Sequence, residues 1–291
     1  MQMRPLGPGA PEVTAIGFGG MPLSIPGRPD EHTGLRVIHE VLDAGVTLLD
    51  TANVYCLDGD DIGHNERLFA KALESWSGVR DDIVLATKGG MTRPQGRWDR
   101  NGRPEHLRQA CELSLKALDV ERIDLYQFHT PDPTVPFADS VGVLARLHEE
   151  GKIRWVGLSN VTVEQIEEAN TMVRVVTVQN RLNPFFREAI DTGVVRHCAD
   201  GGIGFLAYSP VGGGRLNKKL PAHTVVVPIA ERLEASTHSV VLAWVRAQGP
   251  NVIPIPGART LEHAWDSIKS ESLELSNEDL AAIDAAEFSR K

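Results

Sequence analysis

Eight short apolar runs rich in β-branched residues recur along the chain, each separated from the next by enough residues for at least one helix. They read "VTAIGFGG" (13–20), "VTLLD" (46–50), "DIVLATK" (82–88), "IDLYQFH" (123–129), "IRWVGLSN" (153–160), "VRVVTVQ" (173–179), "IGFLAYSP" (203–210) and "NVIPIPG" (251–257). Most are almost continuously apolar and hold their polar residues back to the end. That is the pattern of strands buried on both faces of a parallel sheet.

The intervening segments have helical spacing. In "TGLRVIHEVLDAG", Leu35, Ile38, Val41 and Leu42 form one stripe and Gly45 follows as a stop. "HNERLFAKALESW", "PEHLRQACELSLKAL", "FADSVGVLARLHEEG", "TVEQIEEAN", "REAIDTGVVRHCAD" and "HSVVLAWVRAQ" fill later gaps, with Pro104 suited to a first turn and Gly151 to another stop. "SNEDLAAIDAA" opens on Ser276 with Asp279 three residues on, a capping box with Asp in the usual Glu place.

Eight strands alternating with helices over 291 residues predict an α/β fold, a (β/α)8 TIM barrel. The rival doubly wound sheet carries a glycine fingerprint between a strand and a helix. The one formal match, Gly202-x-Gly204-x-x-Ala207, lies before and inside the seventh run and is discounted. No linker, composition shift or repeat divides the sequence, so one barrel domain over 1–291 is expected.

The net charge of -9 argues against nucleic-acid and anionic-membrane partners, which need basic surfaces. No apolar run is long enough to span a bilayer and the amino terminus lacks a leader pattern, so a cytoplasmic protein is expected. Three cysteines, Cys56, Cys111 and Cys198, form no paired framework. Cys56, beside Tyr55, reads as a small filler rather than a reactive thiol, and no metal site is expected.

In a barrel of this kind, functional groups collect where strands end. Those positions hold Asp50, Lys88 and His129 on three successive runs, then Ser159 and Asn160, Gln179, and Tyr208 and Ser209. Tyr55, one of only three tyrosines, follows Asp50 in the loop. A phenol is a proton donor at neutral pH; a neighbouring Lys ammonium lowers its pKa, and a carboxylate keeps that ammonium charged. With a His to orient an oxygen substituent, the set suits proton delivery to a carbonyl oxygen. It contains no source of electrons, so reduction requires a cofactor.

Taken in order, "GFGGMPL", "DAGVTLLDTANVY", "NERLFAKAL", "LATKGG", "LSLKALDVERIDLYQFHTPD", "LHEEGKIRWVGLSN", "VQNRLNP", "LAYSPVGGG" and "IPGART" resemble the aldo-keto reductase superfamily over nearly the whole chain. The resemblance implies a TIM barrel with an N-terminal β-hairpin closing its bottom, and a nicotinamide cofactor bound without a Rossmann domain. It implies a catalytic tetrad of Asp50, Tyr55, Lys88 and His129, with Tyr55 as general acid. Ser159, Asn160 and Gln179 match residues that hold the nicotinamide carboxamide, and Tyr208 the aromatic that stacks on its ring. Gly20, Met21 and Asp50 border the cofactor.

Ser209, Pro210, Gly212, Gly213, Gly214 and Arg215 are expected along the pyrophosphate, where glycines let backbone amides approach an anion. Ile255, Gly257, Arg259, His263 and Ser267 are expected around the adenosine 2′-phosphate, with Arg259 its main partner. His263, Asp266 and Ser267 depart from the family pattern there, so NADPH is favoured over NADH without being fixed.

Loops form the substrate pocket. Met21, Pro22, Tyr55, Trp98, His129, Pro131 and Asp132 are candidate walls, and the acidic loop 56–66 borders them. The sequence ends soon after the helix near 276–286, which suggests an open site for a small aldehyde, sugar-like carbonyl or pyridoxal. A non-catalytic NADP(H)-binding, redox-sensing subunit of a larger assembly is the alternative. Oligomeric state is not legible.

Overall fold

A computed structural model describes residues 1–291. Each of the eight runs carries a strand: β1 Phe18–Gly19, β2 Leu48–Asp50, β3 Val84–Gly89, β4 Ile123–Phe128, β5 Ile153–Ser159, β6 Val175–Arg181, β7 Gly204–Tyr208 and β8 Val252–Pro254. They pair in parallel and in chain order, β1 to β8. Between the ends of that order, Gly17 N donates to Pro254 O (3.0 Å) and Gly19 N to Pro256 O (2.9 Å). This seam tolerates no side chain, because a Cβ on Gly19 would lie 2.8 Å from Ile255 O and one on Gly257 2.5 Å from Gly19 O.

The first run departs from its expected span. Glu12–Thr14 pairs antiparallel with Met3–Pro5, and only Phe18–Gly19 joins the barrel. The Thr14 hydroxyl donates to Ile16 O (2.7 Å), a local turn that separates the two. Leu6 and Val13 from this hairpin share a buried apolar cluster with Leu48, Val84, Leu125, Leu206 and Ile253, which alternate inward from their strands. Gly204 is glycine because Leu6 O would meet its Cβ at 2.0 Å, a packing reason and not a phosphate-binding one. A larger cluster lies between the strands and the helices.

Helices cover the expected segments. Glu31–Asp43 is capped by the Asp30 side chain, Pro104–Leu118 has Pro in its first turn, and Thr162 with Gln165 forms a capping box ahead of Val163–Asn170. The Ser276–Asp279 box opens Asn277–Ala285 as anticipated. The segment 187–200 divides into Glu188–Asp191 and Val194–Asp200 at Gly193, which has φ +77°. Val226–Arg232 and Leu261–Lys269 add helices outside the expected set. No helix is long and apolar enough to cross a membrane.

Candidate active site

Asp50, Lys88, Gln127 and Gln179 sit on β2, β3, β4 and β6, buried among apolar strands. Four polar side chains buried so deeply must satisfy one another. Lys88 Nζ donates to Asp50 Oδ1 (2.5 Å), Thr51 O (2.9 Å) and Tyr55 Oη (3.0 Å), which uses its three protons. Asp50 Oδ2 accepts from Gln179 Nε2 (2.7 Å) and Gln127 Nε2 (3.1 Å). The polar run from β2 through β3 to Tyr55 is therefore continuous.

Tyr55 is only 7% exposed. Its ring meets the His129 ring edge to face at 5.8 Å and the Trp98 ring at 6.3 Å. Burial raises the Tyr55 pKa above the usual phenol value, with Lys88 pulling in the opposite direction. The expected lysine effect is present, but its sign does not decide the outcome: desolvation outweighs it. For Lys88, burial disfavours the ammonium, yet Asp50 and Tyr55 more than offset this and hold its pKa above the ordinary value. Burial, reinforced by Lys88, drives the His129 pKa well below the usual range, so the ring is neutral at neutral pH.

A cavity of about 770 Å³ opens over Tyr55 and His129. Met21, Trp98, Ser159, Asn160, Gln179, Tyr208 and Ser209 line it as well, so the expected mouth residues of β5 to β7 meet Tyr55 and His129 there, while Asp50 and Lys88 are buried outside the lining and reach it through Tyr55. The Ser159 hydroxyl donates to Gln179 O (2.7 Å). Asn160 Nδ2 donates to His129 O and Ser159 Oγ (both 3.1 Å), and the Tyr208 hydroxyl donates to Asn160 Oδ1 (2.8 Å). Asn160 and Ser209 hold left-handed backbone, φ +58° and +49°, an arrangement uncommon for non-glycine residues and concentrated at functional sites.

Other expected residues are not among those that line the cavity. Gly20 accepts from Asn65 Nδ2 (2.9 Å) through its carbonyl. After Pro210, Gly212 precedes a helical turn, Gly213–Leu216, that takes in the other two glycines of the triplet, and Arg215 donates to Arg290 O (2.8 Å). Ile255 is buried in the barrel interior, and Gly257 lies at the seam. Arg259 donates Nε to Pro22 O (3.0 Å) and Nη2 to Pro26 O (2.9 Å), tying the loop after β8 to the loop after β1. His263 lies in the first turn of Leu261–Lys269 with Ser267 one turn later, while Asp266 accepts from Ser236 and Ser239 and so serves packing. Pro131 lines the cavity; Pro22 and Asp132 do not, and Asp132 accepts from Gly102 N (3.0 Å) and Thr134.

Three contributors were not anticipated. Gln127 braces Asp50, and its only sequence signal is a polar residue inside an apolar strand. Asn65 joins Thr51 to Gly20 and Ser24 behind the Tyr55 loop. Arg93, 3% exposed, donates to Cys56 O and Leu57 O (both 3.1 Å) and stacks over Trp98 at 4.0 Å. The 56–66 loop is thereby ordered: Asp61 pairs with Arg28 (2.6 Å) and accepts from Leu57 N. Cys56 is buried with Val54 O and Asp58 O both within reach of its one thiol proton and its pKa pushed up to about 11 by burial, as befits a filler. Tyr126, within β4, is fully buried.

The fold is thus a parallel barrel with Asp50, Lys88 and Tyr55 hydrogen-bonded to one another beneath the cavity at its mouth. The profile of the aldo/keto reductase family matches residues 15–287, and the chain belongs to that family. It is 34% identical over 277 residues to an uncharacterized oxidoreductase of Schizosaccharomyces pombe, covering 94% of this chain and 86% of the relative. Among solved structures it is similar to the glycerol dehydrogenase of Gluconobacter oxydans (TM-score 0.83, 28% identity, 97% of this chain and 93% of that one). It is also similar to an aldo-keto reductase of Klebsiella pneumoniae in complex with NADPH (TM-score 0.80, 25% identity, 98% and 95%). The protein is accordingly an oxidoreductase.

Proposed function

We propose that the protein reduces a small aldehyde or ketone to the alcohol with NADPH as cofactor and Tyr55 as proton donor. The observation that carries this reading is the Tyr55 hydroxyl, 3.0 Å from a lysine charge that is itself anchored on Asp50, in a cavity that His129 also lines. The residues present suit a nicotinamide: the Gln179 Oε1 accepts no hydrogen bond from the protein, and the Tyr208 ring lines the same cavity. Gln179 and Ser159 would hold the carboxamide and Tyr208 the ring, with Asn160 fixing Tyr208. The nicotinamide, when bound in reduced form, supplies the hydride.

The protein's part is the proton and the charge. Burial keeps Tyr55 protonated at neutral pH, so its hydroxyl is ready to donate. As negative charge grows on the carbonyl oxygen, Tyr55 Oη gives up its proton to that oxygen, and the phenolate left behind faces the Lys88 ammonium. Asp50, braced by Gln127 and Gln179, keeps that ammonium charged and aimed. His129 is neutral with Nδ1 buried and unpartnered, so Nε2 is the nitrogen that orients the carbonyl oxygen. Run in reverse, the same groups take a proton from an alcohol, the direction named for the Gluconobacter relative.

NADPH preference rests on Arg259. With Nε and Nη2 engaged by Pro22 and Pro26, Nη1 makes no hydrogen bond within the protein and is available to a 2′-phosphate. We read the N-terminal hairpin as the closure of the opposite end of the barrel, on the strength of Leu6 and Val13 in the interior cluster. The test is absorbance at the reduced-nicotinamide band with an aldehyde panel and both cofactors. Consumption with NADPH, lost in Tyr55→Phe, is expected. Tight cofactor binding without consumption of any substrate would overturn it in favour of a non-catalytic cofactor-binding subunit.

A further inference from the structure

The cavity over Tyr55 has an unbalanced wall. Among its fifteen lining residues there are two arginines, Arg100 and Arg181, and no aspartate or glutamate. The whole chain has the opposite bias, 39 acidic against 30 basic residues. Acidic groups elsewhere commonly neutralise surface arginines, yet neither of these two takes part in an ion pair. The acidic loop beside the site spends Asp61 on Arg28 and not on either of them.

Both guanidiniums are carried by ordered elements. Arg181 ends β6 and stacks over the Phe186 ring at 3.5 Å. Arg100 lies on the short hairpin Met91–Thr92/Asp99–Arg100 that also carries Trp98, and its backbone pairs with Met91, another lining residue. β3, which leads into that hairpin, and β6 are three strands apart around the barrel, so the two charges flank the mouth from different sides. The segments expected along the cofactor phosphates follow β7 and β8, which leaves Arg100 outside their reach in the chain. An unpaired guanidinium at a cleft mouth attracts anions and matches a carboxylate with its planar pair of donors.

We propose that the natural substrate is a carbonyl compound bearing a carboxylate, its C=O directed to Tyr55 and its carboxylate held at the mouth by Arg100 and Arg181. The inference rests on the carbonyl-reductase reading above and assigns its substrate class. Trp98, exposed to 45% beside Tyr55, then flanks the stretch between the two ends of the substrate.

The experiment compares 4-formylbenzoate with its neutral isostere 4-formylbenzamide as substrates with NADPH. The wild type is expected to prefer the carboxylate by about tenfold in kcat/KM at low ionic strength, the preference shrinking as salt rises. In Arg100→Gln combined with Arg181→Gln that ratio falls towards one, a comparison made within each enzyme and so insensitive to general damage. Binding of the product 4-(hydroxymethyl)benzoate to the NADP+-loaded protein, followed by tryptophan fluorescence, weakens in the double variant by a similar factor. Equal kcat/KM for the two aldehydes in the wild type overturns the proposal, as does a preference that survives both substitutions. A double variant whose main loss is NADPH affinity also overturns it, since the arginines then serve the cofactor. Failure to reduce these or any other aldehydes sinks the reductase reading itself, which is a separate outcome.

Discussion

Lys88 meets three acceptors with its three protons, and all of them lie in the protein interior. Tyr55→Phe removes the donated proton and little volume, so turnover falls by about 10²–10⁴-fold while NADPH affinity stays within about twofold, measured by steady-state kinetics and fluorescence titration. Lys88→Met acts differently. It leaves Asp50 charged, buried and held only by two amides, so the variant loses both turnover and about 3–5 kcal/mol of stability, read by thermal unfolding. A variant that kept wild-type stability would show that Asp50 needs no cation. Asp50, Lys88 and His129 were legible because an apolar strand has little other reason to end in a titratable side chain. Gln127 was not, because a lone polar residue within a strand gives no sign of its partner. Nor was the direction of the Tyr55 shift, which depends on a depth of burial that only the assembled barrel creates.

At the scale of elements, two cross-links hold the rim together. Arg93 joins the Tyr55 loop to the Trp98 hairpin, and Arg259 joins the loops after β1 and β8. Arg93→Met keeps the bulk but loses two carbonyl contacts and the cation over Trp98. KM for an aromatic aldehyde is expected to rise by about tenfold, with faster proteolytic cleavage in 56–63. Arg259→Ala is expected to weaken NADPH more than NADH in direct titrations; equal weakening would assign Arg259 to loop tying alone. Strand and helix order was readable from period and caps, as the Ser276–Asp279 box illustrates. Val226–Arg232 escaped because "VVPIAER" combines β-branched residues with a proline, tolerated there only because Pro228 falls in the first turn. The run 13–20 was over-extended because both hairpin and barrel strands are apolar, and the Thr14 turn between them leaves no hydropathy signal.

Across the whole molecule, pH dependence follows from two kinds of group that burial shifts, Glu66 and His129 in the interior and His64, His106 and His238 half-buried. Glu66, fully buried and accepting from Thr87 Oγ1 (2.6 Å), has its pKa raised from 4.5 to about 7 by burial. A raised carboxyl contributes stability that is fully present below 4.5 and lost as pH rises through about 7. Glu66→Gln should therefore gain on the wild type by about 3 kcal/mol between pH 4 and pH 8, measured by denaturant unfolding at both. An offset independent of pH would mean that Glu66 titrates normally. His64, His106, His129 and His238 run the other way: burial lowers each pKa, so their contribution is present above the ordinary histidine value and lost as pH falls below it.

The glycine seam also constrains how the chain is made. Gly17 and Pro254 meet across nearly the full length of the sequence, and the arginine tie from 259 back to 22 and 26 spans the same gap. During synthesis, every strand but the last can leave the ribosome while β1 and β7 still present bare hydrogen-bonding edges. Nascent chains stalled before residue 250 are thus the species in which a chaperone, or a neighbouring nascent chain, finds an open edge to pair with.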